Sequence, residues 1–152
     1  MKVLVDTNIL LDVLAERFPF YACSAKIWTL AELGRIEAFV SSISFNNVYY
    51  IVRKAADKRR ARQALRLMRD IFVPVATDAR IISQAIDSDI DDFEDAVQLY
   101  SAASIQADCI ITRNVKDFIV RKESFTVLAP DEFLVIYAEK YPDKKRRKNE
   151  FT

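Results

Sequence analysis

The sequence predicts an α/β fold: a mainly parallel sheet with helices packed on both of its faces. Three observations predict it. Short β-type runs alternate with helical patterns along the chain, which calls for crossover connections and hence parallel strands. The 152 residues are enough for one domain with a full-sized core. Hydrophobic residues make up 51% and there is a single glycine, the balance of a compact, helix-rich globule and not of a disordered or fibrous chain.

The first strand is Lys2–Val5, whose Val3, Leu4 and Val5 run straight into Asp6-Thr7-Asn8. Apolar residues resume with helical spacing at Ile9, Leu10, Val13 and Leu14, predicting a helix over 8–16. A second helix over 20–33 ends at Gly34. Strand Glu37–Val40 precedes a helix over 44–56, with Phe45, Val48, Tyr49 and Val52 at i, i+3, i+4 and i+7. A helix over 58–71, a strand Phe72–Val75 and a helix over 78–87 follow. The next helix, 92–107, has an apolar face of Ala96, Leu99, Ala103 and Ile105 or Ala107. Cys109–Thr112 and Thr126–Leu128 read as the last strands, and Asp131–Glu139 as a short helix behind Pro130. Residues 1–139 make one domain, and 140–152 a basic tail, centred on KKRRK at 144–148, with the composition of a disordered segment.

Several function classes drop out. Asp6 and Asp12 break the N-terminal apolar run, so it does not read as a signal peptide. No stretch reaches the ~18 apolar residues of a membrane span. Cys23 and Cys109 lie in apolar contexts and read as buried free thiols of a reducing, cytoplasmic compartment. Histidine is absent, which removes Ser–His and Cys–His nucleophile pairs and the usual zinc sites. The chemistry falls to carboxylates, with or without a hard metal ion. A formal net charge of +1 hides strong segregation: residues 53–69 hold eight Lys/Arg against one acid, and residues 87–95 hold six acids and no base.

In open α/β sheets ligands bind beyond the carboxyl ends of the strands. Asp6 and Asn8 sit at such an end, although Asp6 or Thr7 could equally cap the following helix. Asp95 lies at the edge of its helix's apolar face, with Asp91 and Asp92 four and three residues earlier, over the same side. First-turn acids favour a helix dipole, which accounts for one or two of them but poorly for six in nine residues. Thr112 closes another buried strand, and Arg113, Asn114 and Asp117 follow at once. Acids offered at three separate element ends, in a fold that gathers strand ends, suit Mg²⁺ or Mn²⁺, which favour oxygen ligands.

The stretches VLVDTNILLDVL, DFEDAVQLYSA and IITRNVKDF, in this order and spacing, resemble the PIN-domain family of metal-dependent ribonucleases, particularly the small VapC-type toxins of toxin–antitoxin pairs. The likeness spans roughly residues 1–136. It implies a three-layer α/β/α sandwich, a Mg²⁺ or Mn²⁺ centre held by Asp6, Asp95 and Asp117 with Asn114 beside it, and Asn8 as a supporting polar residue. The family's usual glutamate on the helix after the second strand falls here on Asn47, in ISFNNVYYIV, a departure that removes one charge from the site. Asp92, one turn before Asp95, is positioned to replace it in part.

The expected activity is therefore endoribonucleolytic hydrolysis of RNA, restrained by a small antitoxin protein. Lys54, Arg59, Arg60, Arg62 and Arg66, Arg113 and the basic tail would hold phosphates without sequence preference. Phe45, Tyr49 and Tyr50 read as core or dimer packing before base stacking, and apolar surplus on helices 20–33 and 44–56 points to a homodimer. The alternative is a PIN-like RNA-binding or protein-interaction module with weakened catalysis, which Asn47 keeps open. A phosphatase with Asp6 as nucleophile fits poorly, since such enzymes need a second aspartate where Asn8 stands.

Overall fold

The computed structural model describes residues 1–121 and 125–142. Its elements follow the predicted order. They are β1 (Lys2–Val5), α1 (Thr7–Leu14), α2 (Tyr21–Glu32), β2 (Glu37–Ser41), α3 (Ser42–Ala55), α4 (Lys58–Ile71), β3 (Val73–Val75), α5 (Ala79–Ile86), α6 (Phe93–Ser104), β4 (Cys109–Ile111), β5 (Val127–Leu128) and α7 (Pro130–Lys140). A 3-10 segment, Val115–Arg121, was not expected. The basic stretch 144–148 lies outside the described residues.

The sheet has the order β3-β2-β1-β4-β5, and every pairing is parallel. The chain builds outward from β1 through β2 and β3, then crosses to the other side of β1 for β4. The strand order reverses between β1 and β4, the kind of crevice where open α/β sheets bind ligands.

Strand side chains alternate between faces. Val3, Val5, Ala38, Val40, Cys109 and Ile111 point to one side, into a core completed by α1, α2, α3, α4 and α7. Leu4, Phe39 and Ile110 point to the other, toward α5 and α6. The result is the expected α/β/α sandwich. Phe133 of α7 is fully buried in the first of these cores. Phe133→Ala is expected to cost about 3–5 kcal/mol of stability; urea melts with a shift near zero would show that α7 does not seal that layer.

Local chemistry sets the element ends. Gly34 stops α2 with φ +63, a conformation that glycine adopts at no steric cost. Asp57 and Asp78 cap α4 and α5 by accepting the backbone N–H of Arg60 and Ile81. Helix α6 departs from the prediction. It ends at Ser104, three residues early, and Ala103 is exposed. Its buried side carries Asp95, Ala96, Gln98, Leu99, Ser101 and Ala102, because the helix turns polar groups as well as methyls toward the sheet's rim.

Candidate active site

Asp6 stands at the N-cap position of α1, but its side chain caps nothing there. Its N–H donates to the Ile111 carbonyl at 3.0 Å, continuing the β1–β4 ladder by one step. Its Oδ1 accepts from Gln98 Nε2 at 2.6 Å and its Oδ2 from Thr112 Oγ1 at 2.6 Å. Of the two sequence alternatives for Asp6, the geometry excludes the cap. A buried carboxylate gripped by two neutral donors is being positioned.

Thr112 is the hub of this end of the sheet. Its hydroxyl donates to Asp6 and accepts from the backbone N–H of Asn114 at 3.0 Å and from Asn8 Nδ2 at 3.4 Å. Asn8 Oδ1 in turn accepts from the Arg113 backbone N–H at 3.4 Å. Asn8 thus staples the start of α1 to the loop after β4, which fixes the distance between the two polar clusters.

On α6, Asp92 is the N-cap, its Oδ1 accepting the Asp95 N–H at 3.1 Å. Asp95 follows one turn in, 9% exposed. Burial first, then the charges of Asp6, Asp92, Asp117 and Glu94, push its carboxyl up to about 7. Asp6 is also raised by burial, against the lowering hydrogen bonds of Thr112 and Gln98, with the Glu94 charge adding to the rise. Groups so perturbed inside a cleft mark candidate functional sites.

These residues border a cleft of about 590 Å³, lined by Asp6, Asn8, Asn47, Asp92, Asp95, Asn114 and Asp117 together with Thr7, Leu11, Tyr50, Ile51 and Glu94. Asn47 lines the same cleft as the carboxylates. Thr112 stands behind the wall, acting through Asp6. Glu94, Gln98, Thr7 and Ser44 were missed. Glu94 is one of six acids in residues 87–95, and nothing in the sequence singles it out. Gln98, four residues on from Glu94, is a polar residue on the helix's inner side, a signal the apolar-face count passed over.

The basic residues singled out in the sequence fall in two settings. Lys54, Arg59, Arg60, Arg62 and Arg66 are exposed on α3 and α4, outside the cleft wall. Lys54 extends the row of Asn47 and Tyr50–Ile51 by another turn of α3. Arg113, expected to face RNA, is instead packed inward. Its Nε lies 3.1 Å from Oδ2 of the fully buried Asp12, and its guanidinium lies over the Phe20 ring at 4.0 Å. The Asp12 carboxyl is raised by burial, opposed by the charge of Arg113 and the hydrogen bond from Ser24.

The cleft suits a hard divalent ion by donor type, since its polar lining offers oxygen ligands and no imidazole. It also suits one by charge: among the described residues, no Lys or Arg lies within ion-pair distance of Asp6, Asp92, Glu94, Asp95 or Asp117. Among the same residues, no three Asp, Glu or Cys side chains stand close enough to hold one ion by themselves. An ion here would take one or two carboxylates and complete its shell with water and substrate oxygens, as Mg²⁺ commonly does.

Solved structures with a similar fold include a toxin–antitoxin complex from Klebsiella pneumoniae, 24% identical, covering 84% of this chain and 97% of that one at a TM-score of 0.61. VapBC2 from Rickettsia felis, bound to a DNA fragment from its promoter, is 18% identical and covers 85% and 98% at a TM-score of 0.65. Mycobacterium tuberculosis VapC20, a sarcin–ricin-loop-cleaving toxin, is 12% identical and covers 71% and 86% at 0.59. At these identities the likeness is one of fold. No curated protein sequence matches the chain. A family model described as the PIN domain matches residues 2–116, which carry β1 through β4 and all of the cleft's acids except Asp117. The chain belongs to the PIN domain family.

Proposed function

We propose that the protein is a divalent-metal-dependent endoribonuclease that acts in the cytoplasm as the toxin of a toxin–antitoxin pair. One observation carries the reading: Asp6, Asp95 and Asp117 line one cleft at the switch point of a parallel sheet, with no basic partner among the described residues. Family membership and the likeness in fold to toxin–antitoxin proteins support it. No helix among the described residues is long and apolar enough to cross a membrane.

When bound, Mg²⁺ or Mn²⁺ supplies an activated water and neutralises charge on the phosphate and the leaving oxygen. The chain's own residues do the positioning. Gln98 and Thr112 hold Asp6 still, Asn8 and Thr112 hold the loop that carries Asn114 and Asp117, and Asp92 fixes the first turn of α6 beneath Asp95. Tyr50 and Ile51 give the cleft an exposed, partly apolar lip. RNA phosphates would approach along Lys54 and the arginines of α4, with the basic tail as a further contact. Residues 1–139 form the catalytic unit in this reading. The exposed Leu33, Tyr50, Ile51 and Leu67 supply apolar surface for a homodimer or an antitoxin.

Single-stranded RNA incubated with the protein should be cut in Mn²⁺ or Mg²⁺ and spared in EDTA, with activity returning when the ion is added back. Cleavage that persists in EDTA contradicts the metal mechanism. RNA binding without cleavage under every ion favours the alternative, a binding module, for which the uncharged Asn47 in the cleft wall is the supporting observation.

A further inference from the structure

We infer that Glu94 is an additional carboxylate of the metal centre, supplying from α6 the charge that Asn47 on α3 does not. This role rests on the metal-centre reading above and names a residue that reading does not need.

Asn47 and Glu94 line the same cleft. An amide oxygen can meet a cation but brings no charge, so α3 contributes none where it borders the carboxylates. Helix α6 contributes three acids to the cleft, and they do different things. Asp92 has Oδ1 engaged in capping the Asp95 N–H. Glu94 takes no part in the cap. Its Oε1 accepts from the Thr7 hydroxyl at 2.8 Å and from Gln98 Nε2 at 3.5 Å. Thr7 Oγ1 is also 2.8 Å from Ser44 Oγ; with one proton to give, it favours the carboxylate as the stronger acceptor.

The same Gln98 nitrogen donates to Asp6 Oδ1 at 2.6 Å. One amide nitrogen therefore reaches both carboxylates, closely at Asp6 and at the long end of hydrogen-bond range at Glu94. Gln98 is fully buried, and its Oε1 has no hydrogen-bond partner among the described residues. Both of its stated bonds are spent on negative charge while its own acceptor goes unused. The helix dipole does not explain this, because a first-turn glutamate gains from the dipole when pointing to solvent as well. Bringing the Glu94 charge to Asp6 with only neutral donors between them adds to the cost of the Asp6 charge, a cost that a cation would offset.

The test measures Mn²⁺ affinity by calorimetry and melting temperature in EDTA, on the full chain. Four proteins are compared: the parent, Glu94→Gln, the double variant Asn47→Glu/Glu94→Gln, and Asp95→Asn. Glu94→Gln should weaken Mn²⁺ binding by ~10-fold or more and melt higher than the parent in EDTA, because it removes repulsion from Asp6. The double variant should recover most of the lost affinity, since the charge returns across the cleft. Unchanged affinity in Glu94→Gln, with Asp95→Asn clearly weakened, overturns the role of Glu94 and leaves the metal centre standing. A Glu94→Gln protein that melts lower in EDTA or fails to fold, with no recovery in the double variant, makes Glu94 structural and likewise overturns it. A parent that binds no Mn²⁺ overturns both readings.

Discussion

Asp95→Asn is expected to reduce RNA cleavage by roughly 10²–10³-fold or more while the protein keeps its fold. The magnitude follows from losing several kcal/mol of charge stabilisation at a metal-assisted step, at about 1.4 kcal/mol per factor of ten. The fold should survive because the Asp95 side chain is not what holds the start of α6; Asp92 caps that turn through the Asp95 backbone N–H, which the substitution leaves in place. In EDTA the variant should melt above the parent, since a buried carboxylate facing Asp6, Asp92, Asp117 and Glu94 is replaced by a neutral isostere. Circular dichroism, melting curves and single-turnover cleavage of one RNA oligonucleotide separate these outcomes. A variant that unfolds would make Asp95 a structural residue, and one that cleaves normally would remove it from the site.

The second large effect is on pH. The Asp95 carboxyl sits at about 7 in the folded protein, against an ordinary value of 3.8, with burial the first cause and the neighbouring acids the second. The folded state therefore holds a proton that the unfolded state releases. The stability this contributes is complete below about pH 4, falls as pH rises through the native value near 7, and is gone above it. Asp6 is shifted in the same direction, again by burial first. Ion-free protein in EDTA should melt at a higher temperature at pH 5 than at pH 8, with Asp95→Asn flattening the difference. A divalent ion competes with the same proton, so Mn²⁺ affinity should climb by up to about tenfold per pH unit toward 7 and then level off. An affinity independent of pH between 5 and 7 would mean that Asp95 is not displaced from its proton by the ion.

Much of the frame was legible because it is written in local period. Val3-Leu4-Val5 alternates across the sheet and Gly34 terminates α2, and neither depends on distant contacts. Asp6 was legible as a position, at a strand's carboxyl end, but its partners were not. Gln98 lies 92 residues away and Thr112 lies 106 away, and no window on the sequence joins them. The same blindness hid the contacts of Glu94 with Thr7 and Gln98, and those of Arg113 with Asp12 and Phe20, which exist only once α1 and the loop after β4 meet. Ala103 shows the converse failure. The count of apolar residues set its face, whereas the polar rim of the sheet rotated the buried side of α6 to take in Gln98 and Ser101.

The central claim, that these carboxylates form a divalent-ion centre, is most directly tested by anomalous scattering from crystals grown in Mn²⁺. The account predicts a manganese peak in the cleft, within ligand distance of Asp6 or Asp95 and of at least one other cleft oxygen, and its loss in crystals of Asp95→Asn. Manganese absent from the cleft at saturating concentration and pH 8, in crystals whose cleft is open to solvent, would contradict it.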